Sequence, residues 1–110
     1  MPVSLAVNEA LERLRKIAGE LPGAVETKSY GNPTFKANGK AFAVFDRYRG
    51  EYCIWIRCEP SARGALLQDE AFFPSPYDKA QQAVCRRLHD LRWREFAPLV
   101  KTSYEIALTS

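Results

Sequence analysis

The sequence predicts an α+β domain in which an antiparallel sheet packs in two layers with an N-terminal and a C-terminal helix. Three observations support this prediction: helical periodicity at both chain ends, a period of two from Thr27 to Glu59, and turn signals between the alternating runs. Of the 110 residues 46% are hydrophobic and 26% are charged, so residues 1–110 are expected to form one globular domain. Strands bracketed by helices, rather than alternating with them, favour the α+β class.

The first helix is predicted over residues 4–21. Apolar side chains recur there at steps of three and four, with mostly charged residues between them. Ser4 is a candidate N-cap, and Pro22-Gly23 supplies a stop signal. We therefore expect the helix to end near Glu20 or Leu21.

The middle of the chain predicts a meander of at least three strands. Residues 33–37 and 40–48 flank Asn38-Gly39, a pair that suits a two-residue type I′ turn and hence an antiparallel hairpin. A second reversal at Arg49-Gly50 leads into a strand over residues 51–58. Alternation divides the side chains of that strand, with Tyr52, Ile54, Ile56 and Cys58 on one face and Cys53, Trp55 and Arg57 on the other.

The segment after the meander begins with a short helix and ends with an ambiguous run. Proline at the first helical position predicts a helix from Pro60 through Gln68. Residues 72–76 then form an extended connection, which Tyr77 is expected to pin to the core. Residues 79–90 fit a helix by propensity and a strand by alternation.

The final helix is predicted from helical spacing between Trp93 and Ala107, with Asp90 as a candidate N-cap. Pro98 interrupts this pattern because its ring crowds the carbonyl of Arg94. We expect either a kink at Pro98 or a separate first turn.

Five short motifs lie in order along nearly the whole chain and together resemble the MmcQ/YjbR family of small bacterial proteins. They are Leu21-Pro22-Gly23-Ala24-Val25-Glu26, Pro33-Thr34-Phe35-Lys36 with Gly39-Lys40-Ala41-Phe42-Ala43, Cys58-Glu59-Pro60, Phe73-Pro74-Ser75-Pro76-Tyr77 and Ser103-Tyr104. The resemblance implies a compact α+β domain, a strand in the ambiguous run over residues 82–89, and a DNA-binding role.

One position departs from the family pattern. Members often carry a basic residue followed closely by an aromatic one, commonly tryptophan, after the tyrosine loop. Here Lys79 is followed by Ala80, Gln81 and Gln82. Any contact that such a ring makes is therefore expected to be missing from this protein.

Positive charge is concentrated in the strands. Residues 28–63 hold seven basic and three acidic residues, and residues 78–94 hold five basic and two acidic ones. At hairpin tips such cations can neutralise phosphates, while Tyr48 or Tyr52 could stack on a base. A solvated basic face is the alternative, since lysine also protects sheet edges. The candidate phosphate contacts are Lys36, Lys40, Arg47, Arg49 and Arg57, followed by Lys79, Arg86 and Arg87.

Other function classes have little support in the sequence. His89 is the only histidine, and Cys53 and Cys58 fall on opposite faces of a strand, so neither a metal nor another cofactor is expected. A Cys85 and His89 dyad requires residues 79–90 to be helical, because a strand would separate the two by about 13 Å. Since no nucleophile or nucleotide-binding motif occurs either, we do not expect an enzyme.

Location and partners are expected as follows. An odd number of cysteines, the lack of about 18 consecutive apolar residues and the lack of a signal sequence favour a cytoplasmic protein with no membrane partner. DNA is the expected partner. The alternative is a non-catalytic module that binds proteins or small ligands through Phe72-Phe73, although core packing better explains these aromatic residues.

Overall fold

Three helices and one six-stranded sheet make up residues 5–76 and 78–110, the part of the chain that the computed structural model describes. Ser4 and Tyr77, the predicted cap and loop anchor, lie outside the described residues. The helices are α1 (Leu5–Gly19), α2 (Pro60–Leu67) and α3 (Trp93–Thr109). The strands are β1 (Val25–Ser29), β2 (Asn32–Ala37), β3 (Lys40–Tyr48), β4 (Glu51–Arg57), β5 (Phe72–Pro74) and β6 (Ala83–Arg87).

The strands form an antiparallel sheet in the order β1-β2-β3-β4-β6-β5, which confirms the α+β class. After β4 the chain passes through α2 to the far edge, and β6 then returns beside β4. The strand that the family resemblance implied for the ambiguous run is therefore present as β6. Neither β1 nor β5 was predicted as a strand.

The two edges of the sheet differ in character. β1 is exposed along almost its whole length and carries the charged residues Glu26 and Lys28. β5 has only three residues and ends at Pro74, which has no amide hydrogen to donate. Both edges are therefore short, and each is interrupted by residues that oppose further pairing.

Two-residue turns connect the first four strands. Asn38-Gly39 has φ angles of 54° and 77°, so both residues are left-handed as a type I′ turn requires, and the predicted hairpin is confirmed. The same conformation occurs at Tyr30-Gly31 and at Arg49-Gly50. Consecutive strands thus reverse direction with the shortest connections that fit the twist of the sheet.

The helices match the prediction closely except at their ends. α1 ends at Gly19, just before the predicted boundary, and α2 begins at Pro60 as expected. α3 runs continuously through Pro98, so the separate first turn is not formed. The predicted cap at Asp90 is wrong, because Arg92 occupies the N-cap and its carbonyl accepts from the amide of Phe96.

The hydrophobic core lies between one face of the sheet and the helices α1 and α3. Leu14 and Val100 from these helices are fully buried with Phe42 of β3. The Tyr104 ring meets Phe42 edge to face at 5.4 Å, and its hydroxyl donates to the carbonyl of Pro22. This bond ties α3 to the segment that follows α1.

A β-bulge at Phe42 interrupts the pairing of β3 with β2, since Phe35 pairs with Ala43 but Lys36 pairs with Ala41. The buried hydroxyl of Ser103 lies beside this irregularity. It donates to the Phe42 carbonyl at 2.5 Å and accepts from the Arg57 amide at 2.8 Å. One side chain of α3 thus completes the hydrogen bonding of two central strands.

Replacing Ser103 with alanine should therefore destabilise the fold. Ser103→Ala leaves the Arg57 amide and the Phe42 carbonyl without their partner, and we expect it to lower the free energy of unfolding by about 1–3 kcal/mol. Urea denaturation measures the change. Thr102→Ala, at the exposed neighbouring position, should stay within about 0.5 kcal/mol of the parent chain. Equal stabilities for the two variants would contradict the bridging role of Ser103.

Candidate nucleic-acid interface

Side chains alternate across the sheet, and the described helices pack on only one of its faces. The side chains on the helix side belong to the core with α1 and α3, and Leu66 and Leu67 of α2 pack against the same core. We call the other side of the sheet the open face. Strand register places one row of residues on this face across all six strands, namely Thr27, Thr34, Val44, Trp55, Cys85 and Phe73.

The open face carries both small and large side chains, and this arrangement lets aromatic rings on it lie close together. Cys53 and Cys85 are buried there, although neither belongs to the main core. The rings of Tyr48 and Phe73 approach to 6.1 Å between centroids, even though β4 and β6 separate their strands. The small thiols of the two intervening strands leave space for this contact, and Trp55 lies half-buried in the same row.

Each of the three rings has an arginine over it. The guanidinium carbon of Arg57 lies 5.6 Å from the centroid of Trp55, and that of Arg87 lies 4.6 Å from Phe73. At the end of β3 the Arg49 guanidinium carbon lies 5.3 Å from the ring of Tyr48. These distances fall within the range of cation–π attraction. Positive charge is therefore held directly against the aromatic surface.

The cations near Ala41 have no acidic partner within the described residues. Ala41 is the register partner of Lys36, and its carbonyl accepts from Arg57 Nε at 2.6 Å. No carboxylate among residues 5–76 and 78–110 lies within 4.0 Å of the Lys36 ammonium or the Arg57 guanidinium. Both charges are therefore free to attract an anion.

Acidic groups at the other end of the open face are already engaged. Glu51 lies 3.6 Å from Arg87, which also donates to the Glu70 carbonyl at 2.5 Å. Asp46 accepts from the Asn32 amide group at 3.0 Å and from the backbone of the next residue at 2.7 Å. Neither Glu51 nor Asp46 pairs with Lys36 or Arg57.

The eight predicted cations do not share one surface. Lys36, Arg57 and Arg87 lie on the open face, and Arg49 lies at its end. Arg47 points to the helix side, where its guanidinium carbon is 5.2 Å from the Tyr52 ring. Two further members are exposed away from this group: Lys40 beside the β2–β3 turn and Lys79 in the loop before β6.

The two basic hairpin tips do not form one surface. The turns at Asn38-Gly39 and Arg49-Gly50 lie at opposite ends of β3. β3 has nine residues, so the two tips are about 26 Å apart. The open face extends between them.

Arg86 is held inside the protein. It is 9% exposed, and its guanidinium donates to the carbonyls of Arg87, His89 and Asp90 while lying 5.5 Å from the Phe72 ring. Burial lowers the pKa of Arg86, although nearby carboxylates oppose that shift. Its donors hold the chain that follows β6.

This position of Arg86 predicts a stability effect. Arg86→Gln removes the guanidinium that donates hydrogen bonds to three backbone carbonyls. We therefore expect it to lower the free energy of unfolding by about 1–3 kcal/mol. The exposed Arg94→Gln on α3 loses the same charge and should change stability by less than about 0.5 kcal/mol. Urea denaturation of both variants tests this. A stable Arg86→Gln protein would contradict the structural role.

The cysteines and the histidine do not form a reactive pair. Cys85 is buried in β6, whereas His89 follows the strand, is exposed, and lies 3.2 Å from the Asp90 carboxylate. The hydrogen bond between Cys53 and Cys85, together with burial, raises the pKa of the Cys53 thiol. Burial likewise raises the pKa of Cys58. Since only the thiolate attacks, these two thiols are poor nucleophiles at neutral pH.

The free thiols should therefore react slowly in the folded protein. We expect the native chain to react with a disulfide reagent such as DTNB much more slowly than the unfolded chain at the same mildly alkaline pH. When guanidinium chloride unfolds the chain, all three cysteines should react rapidly. Absorbance of the released thiolate measures both rates. Rapid reaction of even one thiol in the native protein would contradict this prediction.

Two further observations concern ligands and membranes. Within residues 5–76 and 78–110, no three side chains of the His, Cys, Asp and Glu types are close enough to hold a metal ion. None of the helices in this part of the chain combines the length and hydropathy of a membrane span.

The sequence interpretation missed Trp55 and Phe73 as members of the interface. Alternation already placed Trp55 on the same face as Arg57, so that signal was present. Phe72 and Phe73 lie on opposite faces of β5 and are both half-buried, so they do not form one exposed patch. The two phenylalanines therefore do not supply the shared exposed surface on which the protein-binding alternative depends.

Comparison with known proteins establishes the family. The sequence model of the YjbR family matches residues 19–106. The chain belongs to the YjbR family. No curated protein matches it closely enough to count as a relative.

Solved structures similar to this YjbR chain share its fold. The Deinococcus radiodurans protein DR2400, which carries a DUF419 domain, superposes with a TM-score of 0.77 at 19% identity, over 87% of this chain and 76% of that one. A protein from Pseudomonas syringae gives a TM-score of 0.76 at 13% identity, over 87% and 97% of the two chains.

Proposed function

We propose that this YjbR protein binds nucleic acid through the open face of its sheet, DNA being the form that the family resemblance implies. The observation that supports the proposal is the group of three rings, Tyr48, Trp55 and Phe73, each with an arginine over it. Lys36 and Arg57, which have no acidic partner among the described residues, lie beside this group.

Phosphate contact is the main source of affinity in this proposal. Lys36 and Arg57 would each neutralise a backbone phosphate and release its condensed counterions, which makes binding weaken as salt rises. Arg87 contributes less, because Glu51 already lies 3.6 Å from its guanidinium. Contacts of this kind position the chain on the nucleic acid without reading its sequence.

The rings add a second, uncharged interaction. A base that stacks on an aromatic side chain is held by its π face, which every base offers. Trp55 is central in the row across the sheet, with Val44 and Cys85 as its register partners. We therefore propose binding that depends strongly on salt and weakly on base sequence.

Lys36 supplies a direct test of this proposal. Lys36→Gln should weaken binding to a fluorescently labelled oligonucleotide several-fold and lower the slope of log K against log salt by about 0.7–0.9, the value of one phosphate contact. Lys101→Gln removes the same charge from the exposed surface of α3, on the other side of the sheet, and should leave both values unchanged. Fluorescence anisotropy across a salt series measures them.

DNA, RNA and polyglutamate are compared in the same assay. We expect both nucleic acids to bind more tightly than polyglutamate at matched charge, because polyglutamate has no bases to stack. Affinity that does not fall as salt rises, or equal losses in Lys36→Gln and Lys101→Gln, would refute a phosphate contact on the open face.

A further inference from the structure

Tyr30 is the most exposed of the large hydrophobic side chains among the described residues. Its relative exposure is 102%, so no neighbour covers either face of the ring. It is also left-handed, with φ of 52°, as the first residue of the Tyr30-Gly31 turn. A bulky L-residue is costly in this conformation, and such turns favour asparagine, aspartate or glycine.

Another turn of the chain has a residue that suits this conformation better than tyrosine does. Asn38 occupies the equivalent place in the Asn38-Gly39 turn, with nearly the same φ of 54°. Turn formation therefore does not account for a tyrosine at position 30. Burial does not account for it either, because the ring contributes nothing to the core.

The Tyr30 turn lies beside the end of the open face. β1 and β3 run in the same direction, so the Tyr30-Gly31 and Arg49-Gly50 turns are at the same end of the sheet. The hydrogen bond from Asn32 to Asp46 fixes the first turn next to the last residues of β3. Two strand spacings, about 10 Å, separate the two turns.

Charge at this end suits an anionic partner. The exposed Arg47 and Arg49 project from the end of β3, and neither has a carboxylate within 4.0 Å in the described part of the chain. Asp46 is engaged by Asn32. The other exposed large hydrophobic side chains, Val25 and Leu108, belong to the start of β1 and the end of α3. Tyr30 is thus not part of an apolar patch.

We propose that the ligand of the open face is single-stranded nucleic acid, and that Tyr30 stacks on one of its bases where the strand passes the Tyr48 and Arg49 end of the sheet. This inference rests on the proposed function. A ring with both faces in solvent can stack on an unpaired base, whereas the inner bases of a duplex have no free face. Tyr30 then extends the path that begins at Lys36 and Trp55.

Tyr30→Asn separates binding from folding. Asparagine suits the turn better than tyrosine, so we expect the variant to be at least as stable as the parent chain. Its affinity for single-stranded DNA of about 12 nucleotides should nevertheless fall roughly 5-fold to 100-fold, the effect of losing one stacked base. Tyr30→Phe keeps the ring and should bind like the parent chain. Asn38→Tyr measures how much a tyrosine in the same turn conformation lowers the stability of the fold.

The probes are thymidine and uridine oligonucleotides and a DNA duplex of the same length. Anisotropy and thermal denaturation are recorded for every variant. Parent-like binding by Tyr30→Asn, or duplex binding as tight as single-strand binding, would overturn the inference. If either result is found but Lys36→Gln still weakens binding, the proposed function stands and only the inference about Tyr30 and single strands is wrong. If the parent chain binds none of the probes, both proposals are wrong.

Discussion

The hydroxyl of Ser103 is the contact on which the central arrangement depends. Where the bulge at Phe42 disturbs the strand ladder, this hydroxyl accepts from the Arg57 amide and donates to the Phe42 carbonyl. It thereby seats α3 on β3 and β4 with no buried polar group left unpaired at this point. The Arg57 side chain continues from the same backbone position to the Ala41 carbonyl and the Trp55 ring. Core packing and the candidate interface are thus coupled through one residue pair.

Local sequence signals predict most of this fold. Helical periodicity gives α1 and α3, and Asn38-Gly39 gives the β2–β3 hairpin, because these elements are determined by neighbours within a few residues. The edge strands β1 and β5 are not predicted, because they are short and are stabilised by strands distant in sequence. Pro98 misleads for a related reason: packing of α3 against the sheet outweighs the local cost of a proline.

The interface is less predictable than the fold. Composition identifies the cations, but their grouping depends on strand direction and on which face each residue occupies. Arg47 and Arg57 fall on opposite faces, although both belong to the predicted set. Arg86 looks like its neighbour Arg87 in sequence, yet the carbonyls that surround it come from the chain bending after β6. Only the assembled tertiary structure distinguishes an arginine that satisfies backbone groups from one that faces solvent.

The margins of the sheet have a consequence for self-association. An exposed edge strand can template amyloid-like growth when it is long, flat and uncharged. β1 is only five residues long and carries Glu26 and Lys28, while β5 is shorter still and contains Pro74. Neither margin offers a foreign strand a continuous set of donors and acceptors on an apolar surface. Both edges of the native sheet therefore disfavour growth into a fibril by addition of strands from other copies.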